Sequence, residues 1–266
     1  MSANPGAWLG MLVITGTLSI PAAAGPVPVR FVEGVVHGFL VLSALDGTHL
    51  ATGDLIQVAR GNAVTARLVF HFRDGSVHDE SATFSQGRQF RLISSRLKQS
   101  GPAFATPVDM AIDCARHTVT VRYVDEGKSK VATSTEPLPA DLSNGLMLTL
   151  LKNIHQATGA QLSMVAATPK PLLVKVVVTS AGEEAFTVAG GRRAAVHYVV
   201  HPDIGGVKGW LASVLGKAPP DTHVWILAGE APAFVKSEGP LYAGGPAWRI
   251  ELATPAWSTA VPSSGR

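Results

Sequence analysis

The chain is poor in cysteine, in charge and in aromatic side chains, and each shortage excludes a class of protein. Cys114 is the only cysteine among 266 residues, so the chain cannot form an internal disulfide. Charged residues make up 15%, the net charge is only +3, and Lys and Arg are scattered along the chain. A basic nucleic-acid-binding surface is therefore not indicated. The hydrophobic fraction of 46% is that of a chain that folds around a core.

The sequence also lacks the common catalytic motifs. It contains no Gly-x-Ser-x-Gly elbow, no phosphate-binding loop of the Walker type and no Gly-rich dinucleotide fingerprint. His197 and His201 lie four residues apart on a predicted strand, about 13 Å, which is too far to share one zinc ion. His78 and Glu80 share one strand face, but no third ligand can be named. We predict neither catalytic residues, nor a metal site, nor a cofactor, and we expect a protein that is not an enzyme.

One stretch between residues 137 and 159 has the pattern of an α-helix. Its apolar residues recur at steps of one, three and four and form a single stripe. Pro139 with Asp141 or Ser143 provides start signals, and Gly159 provides a stop. Leu148 lies off the stripe and predicts contact on a second side. The stripe consists of Leu142, Leu146, Met147, Leu150, Leu151 and Ile154, and Gly145, Thr149, Lys152 and Gln156 are predicted on the opposite side.

Almost everything else after residue 28 reads as short β-strands joined by tight turns. The segment 63–73 alternates most clearly, with Val64, Ala66 and Leu68 on one face. Gly61-Asn62 and Asp74-Gly75 are typical hairpin turns, and a further turn is expected at Gly182. We predict a mostly β fold, an antiparallel meander forming an open or closed barrel-like sheet with one central helix. A short loop helix is predicted over residues 208–215.

Both ends of the chain differ from this pattern. Residues 1–24 carry no charged side chain, and an apolar run is followed by Pro21-Ala22-Ala23-Ala24. This predicts a signal peptide removed after Ala24 and a protein exported to the periplasm or secreted; an uncleaved anchor is the alternative. Residues 25–254 are predicted to form a single β-rich domain, and residues 255–266 a disordered tail. No integral membrane span is expected in the exported chain.

Cys114 follows Val108, Met110 and Ile112 at a spacing of two residues. This alternation predicts a buried free thiol, with a catalytic or intermolecular thiol as the alternative.

The C-terminal strands resemble those of a family of exported bacterial β-rich proteins of unknown function. The resemblance is carried by the segments 224–227 (Val-Trp-Ile-Leu), 232–236 (Pro-Ala-Phe-Val-Lys) and 248–252 (Trp-Arg-Ile-Glu-Leu). The layout of meander and single helix is also similar to that of lipoprotein-localisation carriers, whose open barrel holds a helix and an apolar cavity. The resemblance implies an apolar ligand and carries no catalytic residue onto this chain.

Together these observations predict an exported protein that binds an apolar or amphipathic molecule, such as a lipid. A structural or protein-interaction module with a filled interior is the alternative, because small barrels either hold a ligand or are filled by side chains. The candidate ligand-binding residues are Leu146, Leu150 and Ile154 on the helix and Lys208 and Trp210 in the long loop. The oligomeric state is not predicted.

Overall fold

The computed structural model describes residues 25–168, 170–188, 191–203 and 219–253 of the chain. The predicted signal peptide, the loop helix with Lys208 and Trp210, and the predicted tail lie outside these residues. Within them the chain forms a single antiparallel sheet of 14 strands and one α-helix, which confirms the predicted fold class.

The strands and the helix follow one another with short connections. They are β1 (Val36–Ala44), β2 (His49–Arg60), β3 (Ala63–Phe72), β4 (Val77–Gln86), β5 (Phe90–Ser100), β6 (Val108–Asp113), β7 (Thr118–Asp125), β8 (Lys128–Thr135), α1 (Met147–Asn153), β9 (Ala160–Ala166), β10 (Leu172–Val188), β11 (Gly191–Asp203), β12 (Thr222–Leu227), β13 (Ala233–Pro240) and β14 (Ala247–Leu252).

Each strand pairs with its neighbours in sequence, except that β8 and β9 do not pair with each other, and β1 pairs in addition with β14. Gly61, Gly75 and Gly127 close tight turns between strands at φ angles of 59°, 85° and 73°, which glycine adopts without steric cost. The sheet does not close, since β8 and β9 remain as its two edges. The segment that connects these edges contains α1.

One face of the sheet carries the core. On β3, Val64, Ala66 and Phe70 are buried while Thr65 and Arg67 are exposed, which confirms the predicted alternation. The same alternation places buried apolar side chains of both halves of the sheet in one cluster with those of α1. We call this covered face the inner face.

The prediction of a turn at Gly182 is wrong. β10 runs without interruption through this residue for 17 residues and pairs with β11 on both sides of it. Gly182 instead marks a register shift after Ser180, with a φ of 108°. In a sequence, a glycine between two β-type segments is compatible with a turn or with a bulge inside one long strand. Only the pairing with the neighbouring strand distinguishes the two.

The helix is shorter than the sequence pattern predicts. Only seven residues, Met147–Asn153, are helical. The preceding segment is held by edge strand β9: Ser143 Oγ donates to Ser163 O at 2.9 Å, and Asn144 Nδ2 donates to Val165 O at 2.9 Å. The free edge of β9 offers unpaired backbone groups, and these polar side chains bind them instead of starting a helix.

The predicted apolar stripe is buried as expected except at Met147, which is half-buried, and the opposite side of α1 is not on the surface either. Leu146, Leu150 and Leu151 are 1–3% exposed. Thr149 is only 5% exposed, and the side chain of Lys152 only 17%. The segment 30–33, before β1, contacts the helix here: the backbone N–H groups of Arg30 and Phe31 donate to Asn153 Oδ1, and Glu33 pairs with Lys152.

Cys114 is half-buried, so the prediction of a buried thiol is corrected. β6 ends at Asp113, and the alternation of that strand therefore does not extend to Cys114. Burial, and secondarily the charge of Asp113, raise the pKa of the thiol.

Candidate functional site

A cavity of about 720 Å³ lies between the inner face of the sheet and the segment that contains α1. Strands from both halves of the sheet line it, and most of its wall is apolar. The cavity is therefore the feature of the described chain most suited to holding a small molecule.

A row of directly paired residues crosses five strands and forms part of the cavity wall. Leu55 of β2 pairs with Leu68 of β3, Leu68 pairs with Glu80 of β4, and Glu80 pairs with Leu97 of β5. Leu97 pairs in turn with Met110 of β6. All five residues line the cavity, so a single carboxyl group lies in the middle of an apolar belt.

An aromatic cluster packs beside the cavity at the loop between β13 and β14. The rings of Phe104 and Tyr242 lie 5.3 Å apart, and Phe72 lies 5.4 Å from both Phe104 and Trp248. Tyr242 itself lines the cavity, and its hydroxyl donates to Ala103 O at 3.2 Å. The cluster fixes the loop against the sheet at this part of the wall.

The helix turns one side to the cavity and the other to the core. Met147, Leu148, Thr149 and Lys152 line the cavity. The position of Leu148 off the stripe predicts that this residue makes contacts on a second side of the helix. In the structure that second side faces the cavity.

None of the described candidate ligand-binding residues predicted from sequence lines this cavity. Leu146 and Leu150 pack in the core, and Ile154 lines a separate, smaller pocket of about 350 Å³ beside Tyr198. Lys208 and Trp210 lie outside the described residues. A role of these five residues in ligand binding stays a prediction.

The positive charge of Lys152 is neutralised inside the protein. Its Nζ lies 2.5 Å from Oε1 of Glu33, a residue that is 7% exposed. Gln57 Nε2 donates to the other carboxylate oxygen of Glu33 at 2.7 Å. Lys152 therefore enters the cavity wall as one half of a buried ion pair.

His78 lies on β4 in the cavity wall and is 2% exposed. Gln99 Nε2 donates to the carbonyl oxygen of Leu241 at 3.2 Å, which identifies this atom as the amide nitrogen. The same nitrogen lies 3.0 Å from His78 Nδ1, so Nδ1 accepts and Nε2 carries the proton. Nε2 has no partner among the described residues. Burial lowers the pKa of His78 to about 4 and keeps the ring neutral at neutral pH.

Glu80 has the opposite shift. Burial raises its pKa from 4.5 to about 7, and a backbone hydrogen bond from Gly145 only partly offsets this effect. Gly145 approaches closely, since a Cβ there would lie 2.7 Å from that of Ala82. The carboxyl group is therefore held at the point where the helix segment meets the sheet.

The residues that define the cavity were only partly recognisable in the sequence. The period-two pattern indicates that His78 and Glu80 share one strand face. It does not show which face is the inner one, because Asp79 between them is equally polar and lies on the outer face with Arg67. No group of three or more His, Cys, Asp or Glu side chains that could hold a metal occurs in the described ranges.

A second polar cluster lies on the outer face of the sheet. The ring of His197 stacks on Trp225 at 4.3 Å, and its Nε2 lies 2.9 Å from Nδ1 of His223. Lys236 Nζ lies 4.1 Å from the Trp225 ring on the same face. The side chain of His197 is only 16% exposed, whereas His201 is 59% exposed, as expected for a surface histidine.

Comparisons with known proteins add a similarity of fold. No family model matches the chain, and no curated protein is significantly similar to it. A solved structure, described as a β-barrel-like protein of the domain of unknown function DUF1849 from Brucella abortus, aligns with 84% of this chain and 98% of its own. The TM-score is 0.46 and the sequence identity is 12%, and we draw no functional conclusion from this alignment. Similarity to lipoprotein-localisation carriers stays a prediction.

The described part of the chain has no helix with the length and apolar character needed to cross a bilayer.

Proposed function

We propose that the protein is an exported binding protein that holds an apolar or amphipathic small molecule in the cavity beneath α1. The observation that carries the proposal is the cavity itself: its volume of about 720 Å³ falls within the roughly 300–1,000 Å³ of small-molecule sites. Its wall combines apolar side chains with a few convergent polar groups, which is the usual composition of such sites. Export is proposed from the uncharged apolar start and the small-residue cleavage pattern of residues 1–24.

The cavity favours this function over that of a structural module with a filled interior. In a filled barrel the inward side chains of opposite strands meet. Here Leu68 and Leu97 on one side, and Met164 and Val174 on the other, face a shared open volume.

Filling the cavity tests the proposal. The purified protein is examined by native mass spectrometry for a co-purified lipid and is titrated with the apolar fluorescent probe N-phenylnaphthylamine. In Leu148→Trp the larger ring occupies the cavity, and we expect the probe to bind at least about tenfold more weakly. The matched control is Leu173→Trp, because Leu173 is 46% exposed on the outer face.

Circular dichroism spectra of both variants establish that they are folded. If the wild-type protein carries no lipid and binds no probe, the proposal is wrong and the filled-interior alternative gains. Equal loss of binding in the two Trp variants would contradict the assignment of the cavity as the site.

A further inference from the structure

Glu80 is the only acidic side chain among the described residues that line the cavity, and nothing in the described chain neutralises it. It forms no ion pair there, and the effects on its pKa are burial and the Gly145 backbone alone. Burying a carboxylate in apolar surroundings is costly unless an opposite charge lies beside it. The cavity thus contains a polar group without the partner that its charged form requires.

Neither basic side chain of the described cavity wall supplies a positive charge to Glu80. Lys152, the only Lys or Arg in the described cavity wall, pairs with Glu33. His78, two residues away on the same strand, stays neutral because burial lowers its pKa to about 4.

The neighbouring strands carry their charges on the outer face. Arg67 of β3 binds Asp79 at 2.8 Å, and Arg96 of β5 binds Asp109 at 2.9 Å. Lys98 of β5 is exposed. On the inner face the residues paired with Glu80 on β3 and β5 are both leucines.

We propose that the ligand is a hydrophobic molecule with a positively charged group, such as an alkyl amine or an alkyl quaternary ammonium, and that its cation pairs with Glu80. This inference rests on the binding function proposed above. The leucines and Met110 of the belt contact the apolar chain, and the ligand supplies the countercharge that the protein lacks. An anionic amphiphile is repelled by the ionised carboxylate, and a neutral one supplies no countercharge to it.

If a permanently charged ligand pairs with Glu80, its affinity should rise with pH. Glu80 must lose its proton to pair, and its pKa in the free protein is about 7. Affinity therefore increases as the pH rises through this value, and by linkage the bound cation lowers the pKa of Glu80. Each unit of that lowering corresponds to about a tenfold gain in affinity.

Three probes with the same chain and different head groups test the inference: decyltrimethylammonium, decanol and decanoate. Each displaces N-phenylnaphthylamine from the full protein at about pH 5.5 and at about pH 8.5. We expect decyltrimethylammonium to bind the wild-type protein about tenfold or more tightly at the higher pH. Decanol binds equally at both, and decanoate binds more weakly at the higher pH.

Glu80→Gln removes the charge and keeps the shape of the side chain. We expect this variant to bind decanol as the wild-type protein does and to lose the pH-dependent gain for the cation. The control Glu136→Gln changes an exposed carboxylate and retains the gain.

The two proposals fail in different ways. If decanol binds but the affinity for the cation is the same at both pH values, or is unchanged in Glu80→Gln, the cationic ligand is wrong and the binding function stands. If the protein binds N-phenylnaphthylamine but none of the three probes displaces it, the cationic ligand is wrong and the binding function stands. If the protein binds neither N-phenylnaphthylamine nor any of the three probes, and carries no lipid, both are wrong.

Discussion

At the scale of single residues, the buried pair of Glu33 and Lys152 links the N-terminal segment to the helix. The sequence places Lys152 on the polar side of the helical pattern, where replacement would be nearly silent. In the structure Glu33 instead covers Lys152 and pairs with it. Gln86 holds Glu33 in this place, because Gln86 Oε1 accepts a hydrogen bond from the backbone N–H of Glu33 at 2.7 Å. The charge of Lys152 thus compensates a carboxylate that has little access to water.

Lys152→Met is expected to lower the free energy of unfolding by about 3 kcal/mol, because it leaves Glu33 buried without a countercharge. Adding Glu33→Gln in the same chain removes the uncompensated charge and should restore most of the loss. Urea denaturation of the single and double variants measures both effects. Lys98→Met, on the exposed face of β5, is the control. A single variant as stable as this control would contradict the importance of the pair.

At the scale of elements, α1 and its flanking residues pack on the inner face of the sheet. Leu150 is 3% exposed on the core side of α1. Tyr198 on β11 binds the end of the helix, where its hydroxyl donates to Ile154 O at 3.0 Å. The helix therefore links the two halves of the inner face.

Leu150→Ala should destabilise the protein by about 2–5 kcal/mol, from lost burial and from the space left behind. Since a domain of this kind is stable by only about 5–15 kcal/mol, the melting temperature should fall clearly. Leu173→Ala, on the exposed face of β10, makes the same chemical change and should have little effect. Thermal melts decide: equal curves for the two variants would mean that α1 does not pack on the sheet.

At the scale of the whole molecule, unfolding exposes His78 and Glu80 together, and their pKa shifts act on stability in opposite directions. The pKa of Glu80 is raised from 4.5 to about 7, so its contribution to stability is lost as the pH rises between these values. The pKa of His78 is lowered from 6.5 to about 4, so its contribution is lost as the pH falls through that window. The two terms partly cancel in the wild-type protein.

Glu80→Gln removes one of these terms. Below about pH 4.5 its free energy of unfolding should be close to that of the wild-type protein, since the glutamate is then protonated in both states. Above about pH 7 the variant should be more stable by up to about 3 kcal/mol, which follows from a pKa shift from 4.5 to about 7. Urea denaturation at a series of pH values measures the difference. Parallel curves for the two proteins would show that Glu80 has an ordinary pKa.

The sequence by itself determined the local properties of this fold. Alternation along β3 predicts which side chains are buried, and Gly61 and Gly75 predict where the chain turns. These features depend on neighbours in the chain, whose geometry is the same in any antiparallel sheet.

Only the tertiary structure decided the length of the helix, the burial of Lys152 and the position of the cavity. Ser143 and Asn144 leave the helical pattern because β9 is an unpaired edge, and this follows from pairing across the whole sheet. Lys152 is buried because a segment more than a hundred residues earlier covers it. Glu80 lacks a countercharge because Arg67 and Arg96 on the neighbouring strands fall on the outer face. Each of these depends on which distant residues meet, and a local pattern does not specify those contacts.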